Sequence, residues 1–144
     1  MKIRCVKNNV FDIKKTDRVE EIFNLSDGQL NLEIDNIYNV HAVVFDKDEP
    51  WFYVYLDDDD DYYDYDDTPN SYPASLFELV DSSIPEFWEL GLNAVGTFRG
   101  AMLSFPEWMN DEQFYLKAIN SSPKELKLMN HYRKRVIDKN VEVM

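Results

Sequence analysis

Five consecutive aspartates, Asp57–Asp61, constrain the fold of this chain more than any other feature of its sequence. They directly follow Trp51–Leu56, a stretch in which every residue is apolar or aromatic. Aspartate is a poor strand former and a common turn residue, so the run is expected to end a strand and to begin a solvated loop. We name residues 57–67 the acidic segment. Its members are Asp57, Asp58, Asp59, Asp60, Asp61, Tyr62, Tyr63, Asp64, Tyr65, Asp66 and Asp67.

Charge is distributed unevenly along the 144 residues, whose 15 basic and 28 acidic side chains give a net charge of −13. Met1–Arg18 carries six basic residues against two acids, and Lys117–Met144 carries seven against three. Val19–Glu112 carries 23 acids against two basic residues. Either the basic ends lie against the acidic middle and reduce its self-repulsion, or part of the acidic excess is reserved for a partner. Both explanations can hold together.

The composition argues against several classes of protein. Hydrophobic residues make up 44% of the chain, which is enough to bury the core of a single domain. There is no apolar run near 18 residues and no secretion signal in the first twenty, and Cys5 is the sole cysteine, so we expect a cytoplasmic protein without an internal disulfide. The acidic balance argues against binding to nucleic acid or to an anionic membrane.

Strand signals dominate the first part of the chain. Lys2–Val6 alternates polar and apolar residues, which predicts a half-buried strand. Ile37–Phe45 and Trp51–Leu56 are rich in β-branched and aromatic residues and predict an antiparallel hairpin. Ser75–Val80 and Thr97–Leu103 are two further β-prone pieces.

Helix signals dominate the last part. Three pairs place a capping side chain three residues before a Glu or Gln, and prolines stand at early helical positions. The pairs are Ser104 with Glu107, Asn110 with Gln113, and Ser122 with Glu125, and the prolines are Pro106 and Pro123. From Leu126 to Val136, apolar residues recur every three or four positions, which predicts an amphipathic final helix with a basic outer face.

Strands followed by helices predict an α+β fold. We expect a β-rich part over residues 1–82, built as a small antiparallel barrel or a bent sheet. Residues 83–144 are expected to form a mainly helical extension of two or three helices that packs on it in a single compact unit.

The acidic segment has three interpretations. It is a loop whose charge serves solubility, a surface that binds a basic protein partner, or an irregular site for a metal ion. An EF-hand loop starting at Asp57 is excluded, because Tyr62 and Thr68 stand where Gly and Glu are needed. Carboxylates about 7 Å apart repel by roughly 0.6 kcal/mol per pair before screening, so solubility alone is a weak reason for such density. We favour partner binding and predict no metal.

The aromatic strand before the acidic segment has two interpretations. Trp51, Tyr53 and Tyr55 share one face, and the residues between them share the other. The strand is either central and covered on both sides, or its Trp51, Tyr53 and Tyr55 face is partly open and extends the partner-binding surface.

No catalytic constellation is evident. His41 lies in an apolar β run and is expected to be structural, His131 is expected at the surface of a helix, and Cys5 is expected to be packed. The glycines match no phosphate-binding loop. We therefore predict a protein without enzymatic activity, catalytic residues or a cofactor.

Two resemblances add to these expectations. Ile37–Val40, Trp51–Val54, the aspartate run and Ser71–Val80 (Ser-Tyr-Pro-Ala-Ser-Leu-Phe-Glu-Leu-Val) resemble small bacterial and phage domains with an SH3-like barrel, over roughly residues 1–81. Phe105–Trp108 and the basic final helix resemble extensions of proteins similar to bacterial toxin-immunity proteins.

The first resemblance implies a fold more than a function. Because a cleft that binds phosphates is cationic and carboxylates can take their place, the acidic segment leads us to expect an immunity-type inhibitor that neutralises a cationic toxin such as a nuclease. A phage or bacterial accessory protein that acts by self-assembly is the alternative, followed by a small hydrolase. The oligomeric state stays open at this point.

Overall fold

Eight strands and four α-helices form the described part of the chain. The computed structural model describes residues 1–23, 27–57, 67–95 and 98–142, with the backbone alone at 93–95, 98–99 and 138–142. The strands are β1 (Lys2–Cys5), β2 (Ile37–Asn39), β3 (Ala42–Phe45), β4 (Pro50–Val54), β5 (Asn70–Pro73), β6 (Phe77–Asp81), β7 (Glu89–Val95) and β8 (Phe98–Ser104). The helices are α1 (Asp17–Ile22), α2 (Pro106–Met109), α3 (Phe114–Ile119) and α4 (Pro123–Glu142). The predicted α+β class is confirmed.

The smaller sheet has the strand order β2-β1-β6, with both pairings antiparallel. The alternation predicted for the first strand is confirmed, because Ile3 and Cys5 are buried and Arg4 is exposed. On the exposed face the Arg4 guanidinium forms an ion pair with Glu78 of β6. Both side chains reach solvent, so the ion pair contributes little to stability.

The larger sheet has the strand order β5-β4-β3-β8-β7. The predicted hairpin is confirmed in part, as β3 and β4, in which Val43 lies opposite Phe52. The run Ile37–Phe45, predicted as one strand, divides into β2, which pairs with β1 in the smaller sheet, and β3. On its other side β3 pairs antiparallel with β8, where Val43 lies opposite Leu103. The larger sheet therefore contains strands from both sides of residue 82.

Both sheets are open within the described ranges, and neither closes into a barrel. The coarse prediction of antiparallel sheets with C-terminal helices is thus confirmed, while the SH3-like barrel is not. The β-prone piece Ser75–Val80 divides into a 3-10 turn, Ala74–Leu76, and strand β6.

Two of the three predicted capping pairs are used differently in the structure. Ser104 is the last residue of β8, and its buried hydroxyl donates to the His41 carbonyl at 2.8 Å. Asn110 ends α2 instead of starting a helix, and its side-chain amide donates to the Pro106 carbonyl. The third pair is present, because Ser122 precedes α4 and its hydroxyl donates to the Glu125 carboxylate.

The final helix has the predicted amphipathic character. Leu126, Met129 and Val136 are buried on one side of α4. Four basic side chains lie exposed on the remaining surface. They are Lys124, Lys127, Lys134 and Arg135. Among the helices that the structure describes, none is both long and apolar enough to cross a membrane.

A close approach between β7 and α2 generates the first prediction. A Cβ atom built at Gly91 lies 2.9 Å from Sδ and 3.0 Å from Cβ of Met109. Gly91→Ala therefore forces the helix away from the strand and is expected to lower the free energy of unfolding by about 1–3 kcal/mol. Urea denaturation measures this change. Glu89→Ala, on the exposed surface of the same strand, is the control and should stay within about 0.5 kcal/mol of the parent; equal effects of the two variants would contradict the packing explanation.

Candidate partner-binding site

The aromatic strand that leads to the acidic segment is buried. Trp51, Tyr53 and Tyr55 are 0%, 2% and 2% exposed. The Tyr53 ring meets the rings of Trp108 and Tyr115 edge-on, with centroids 5.1 and 5.4 Å apart. The Trp51, Tyr53 and Tyr55 face of this strand is therefore covered, as the first of the two interpretations predicted, while Phe52 on the other face is half-buried. The partly open face is not observed, since the C-terminal helices supply aromatic side chains that cover it.

Each basic end of the chain supplies one buried arginine to this aromatic strand. The guanidinium carbon of Arg18, on α1, lies 5.0 Å from the centre of the Trp51 ring. That of Arg133, on α4, lies 3.6 Å from the centre of the Tyr55 ring. A planar guanidinium packs well on an aromatic face and is more weakly hydrated than an ammonium group, which favours arginine over lysine at buried positions.

Arg133 also holds the first residue of the acidic segment. Its side chain is 1% exposed, and an Nη atom donates to the main-chain carbonyl of Asp57. A buried cation costs several kcal/mol unless charge partners or hydrogen-bond acceptors surround it. The position of Asp57 is thereby coupled to α4, 76 residues further along the chain.

The chain just after the acidic segment is held by α3. The Tyr115 hydroxyl donates to the Pro69 carbonyl at 2.5 Å. Burial, followed by the neighbouring Tyr53 and Tyr55, raises the pKa of Tyr115, so its hydroxyl remains a protonated donor over a wide range of pH. Between these positions the Asp67 carboxylate accepts the backbone N–H of Thr68.

Most of the acidic segment lies outside the described residues. Asp57 and Asp67 are described. The members outside the described ranges are Asp58, Asp59, Asp60, Asp61, Tyr62, Tyr63, Asp64, Tyr65 and Asp66. These nine residues carry six aspartates. The structure thus establishes the positions of the first and last residues of the segment.

Ion pairs between the basic ends and the acidic middle occur at the surface. Besides Arg4 and Glu78, Lys117 pairs with Asp111 at 3.0 Å. The backbone N–H of Gln113, with a smaller contribution from Lys117, holds the pKa of Asp111 below its usual value. The first explanation of the charge distribution therefore applies to part of the chain, while the outer face of α4 keeps its basic side chains exposed.

The residues considered for catalysis have structural surroundings. His41 is buried, and its ring meets the Tyr55 ring edge-on at 4.8 Å, as expected of a structural histidine. His131 is exposed, as predicted. Cys5 is buried, its thiol donates to the Lys7 carbonyl, and burial raises its pKa. The prediction that Cys5 is packed is confirmed.

A small cavity lies between the larger sheet and α4. Its walls include His41, Tyr55, Trp88 and Arg133, and it leaves about 10 Å³ for the centre of a water molecule. That is room for about one water, so this cavity does not admit an organic substrate. Across the described ranges, no group of three or more His, Cys, Asp or Glu side chains is arranged to hold a metal ion.

Comparison with known proteins gives no relative. No protein-family model matches the chain, and no curated protein or solved structure is significantly similar to it.

Removal of the buried arginine tests its role in positioning the acidic segment. Arg133→Ala leaves the Asp57 carbonyl without this donor and opens a void beside the Tyr55 ring, so we expect a loss of about 3 kcal/mol in the free energy of unfolding. Lys134→Ala, at the exposed neighbouring position, should change it by less than about 0.5 kcal/mol. Urea denaturation measures both. Similar losses for the two variants would refute a buried anchor at Arg133.

The buried tyrosines predict a loss of stability at high pH. Burial raises the pKa of Tyr53 to about 12, and the pKa values of Tyr72 and Tyr115 are raised for the same reason. Unfolded tyrosine ionises near pH 10, so the stabilisation is complete below about pH 10 and is lost as the pH rises through about 12. Tyr53 alone accounts for a decrease on the order of 3 kcal/mol.

Urea denaturation between pH 9 and about 12 tests this expectation. Tyr53→Phe is the control, because it removes the Tyr53 share of the pH dependence. If the variant and the parent lose stability in parallel over this range, the assignment to Tyr53 is wrong.

Proposed function

We propose that this protein is a non-enzymatic binding protein whose acidic segment, residues 57–67, docks on a basic protein. In its most concrete form it is an immunity-type inhibitor that neutralises a cationic toxin such as a nuclease. The observation that carries the proposal is the concentration of eight aspartates and three tyrosines in eleven residues, between two positions tied to the C-terminal helices.

The energetic cost of this concentration supports a binding role. Eight carboxylates within eleven residues repel one another by a total on the order of a few kcal/mol, against a typical folding stability of about 5–15 kcal/mol. A cationic partner converts that repulsion into attraction and accelerates encounter by long-range steering. A nuclease cleft suits this chemistry, because a surface that binds phosphates is cationic and carboxylates can take the place of phosphates.

The anchoring of both flanks supports the same role. Arg133 holds the carbonyl of Asp57, and Tyr115 holds the carbonyl of Pro69. Fixing the ends of a binding segment reduces the entropy lost when it docks. The tyrosines at 62, 63 and 65 add aromatic contact area of the kind that is enriched at binding hot spots.

The burial of the aromatic strand refines which residues belong to the proposed surface. Trp51, Tyr53 and Tyr55 lie in the core and are assigned a supporting role, since they pack against the arginines and helices that hold the segment. Direct contact with the partner is assigned to residues 57–67.

We also propose that the first part of this chain is related to small domains with an SH3-like barrel. It is supported by the antiparallel hairpin β3–β4 and by the Ser71–Val80 stretch, which supplies most of β5, a 3-10 turn and most of β6. The two open sheets among the described residues indicate that any such relationship involves a rearranged or extended version of the small barrel.

Neutralisation of the aspartate run tests the proposed function. Changing Asp57, Asp58, Asp59, Asp60 and Asp61 to Asn keeps side-chain size and removes five charges. The partner is first captured from the source cell with the unchanged protein and identified, and its association rate is then measured by stopped flow at several salt concentrations. We expect the variant to associate at least about tenfold more slowly, with a weaker salt dependence.

A matched control separates the local site from the net charge. Asp12→Asn combined with Glu20→Gln, Glu33→Gln, Glu86→Gln and Glu112→Gln also removes five charges, all at exposed positions outside the acidic segment. This control should keep most of the association rate and should still inhibit the captured protein. Equal association rates for the two variants, or full inhibition by the Asp57–Asp61 variant, would refute the proposal.

A further inference from the structure

Strand β7 forms one edge of the larger sheet. It pairs with β8 along all seven of its residues, from Glu89 opposite Ser104 to Val95 opposite Phe98. No strand in the described ranges pairs with its other side. An edge strand of this length presents a row of backbone N–H and C=O groups that can pair with another chain.

The other three sheet edges are short or protected. β2 has three residues, and β5 has four and ends at Pro73. β6 carries Glu78 and Asp81 and has a register shift against β1. β7 is the longest of the four edges, and after Glu89 it contains neither a charge nor a proline. It therefore lacks the usual features that prevent one edge from pairing with another.

The same strand carries the two most exposed large apolar side chains among the described residues. Leu90 is 66% exposed and Leu92 is 75% exposed. They share one face of the sheet, since alternate residues of a strand point the same way, and they lie opposite Leu103 and Ala101 of β8. The other face is occupied at Gly91, which lies against Met109 of α2.

We propose that β7 pairs antiparallel with β7 of a second copy of this chain, about a two-fold axis at Leu92. Pairing all seven residues places Leu92 opposite Leu92 of the second copy and Leu90 opposite Ala94 of the second copy. Opposite residues of antiparallel strands share a face, so the four leucines form one continuous apolar patch. The two larger sheets thereby join into one ten-stranded sheet.

The charges on the edge are compatible with a second copy as the occupant. Glu89 is the single charged residue of β7, and the antiparallel arrangement places the two copies of Glu89 at opposite ends of the contact. Six residues of strand separate them by about 20 Å, which is more than two Debye lengths at physiological salt. The contact therefore brings no like charges of the strand together.

The contact is small for a specific interface. Pairing of two seven-residue strands buries on the order of 1,000 Å² in total, at the lower limit for a specific interface, so we expect a weak dimer. Each copy carries a net charge of −13, and salt screens the repulsion between the copies. Dimerisation should therefore strengthen as salt is added, whereas a complex held by opposite charges would weaken.

Sedimentation velocity between about 1 and 100 µM tests the dimer. The unchanged protein should pass from monomer to dimer over this range, and added salt should shift the transition to lower concentration. Leu92→Lys places a charge at the two-fold axis and should raise the dissociation constant at least about tenfold. Leu116→Lys, at a half-exposed leucine on α3, is the control and should leave the dimer unchanged.

A cysteine pair tests the register. Opposite residues in antiparallel strands have Cα atoms about 4.5–5.5 Å apart, which is within the range of a disulfide. Leu92→Cys should therefore form a disulfide between copies under mild oxidation. Leu90→Cys should not, because two copies of residue 90 lie about 13 Å apart along the strands. The natural Cys5 is buried and does not interfere.

Several results would overturn the inference. They are a monomer throughout the concentration range, a dimer that Leu92→Lys leaves intact, a dimer that salt weakens, and disulfide formation by Leu90→Cys at least as fast as by Leu92→Cys. The inference is independent of the proposed function. Neutralising Asp57–Asp61 should leave the dimer in place, and Leu92→Lys should leave partner binding in place.

Discussion

The packing of the Arg133 guanidinium on the Tyr55 ring is the interaction on which the arrangement of this protein depends. A buried cation needs both an aromatic or apolar surface for its planar face and acceptors for its N–H groups. Tyr55 supplies the first and the Asp57 carbonyl contributes to the second. Strand β4, helix α4 and the start of the acidic segment therefore take their relative positions together.

Some of the basic residues at the two ends of the chain pack in the core, and others are exposed. Arg18 and Arg133 leave the solvent and pack on the aromatic strand, so each basic end contributes to the core. Lys124, Lys127 and Lys134 of α4 are exposed instead. The protein therefore combines an interior that contains cations with a segment of dense acidic sequence, and the proposed binding role concerns that segment.

The sequence patterns predicted correctly those strands and helices that are stabilised by residues close to them in the sequence or by one buried face. The alternation in β1, the hairpin β3–β4 and the amphipathic α4 were all readable, because each depends on neighbours in sequence or on one buried face. Strand β7 was missed, since Gly91, Asn93 and Ala94 are poor strand formers and pairing with β8 forms the strand. Ser104 was misread because its hydroxyl bonds to a carbonyl 63 residues away. The contact of Arg133 with Asp57 also joins residues far apart in the sequence, so it was not predicted. One indication of it was present in the sequence, because Arg133 is spaced from Met129 and Val136 as a residue on the buried side of α4 would be.

The pairing of β3 with β8 has a consequence for synthesis on the ribosome. Val43 lies opposite Leu103, so strand β3 emerges about 60 residues before the strand that completes the interior of its sheet. At about 5–20 residues per second, the nascent chain exposes that apolar edge for roughly 3–12 s. The aspartate run emerges early in this interval and flanks β4 with charged residues of the kind that oppose aggregation of an uncovered apolar strand.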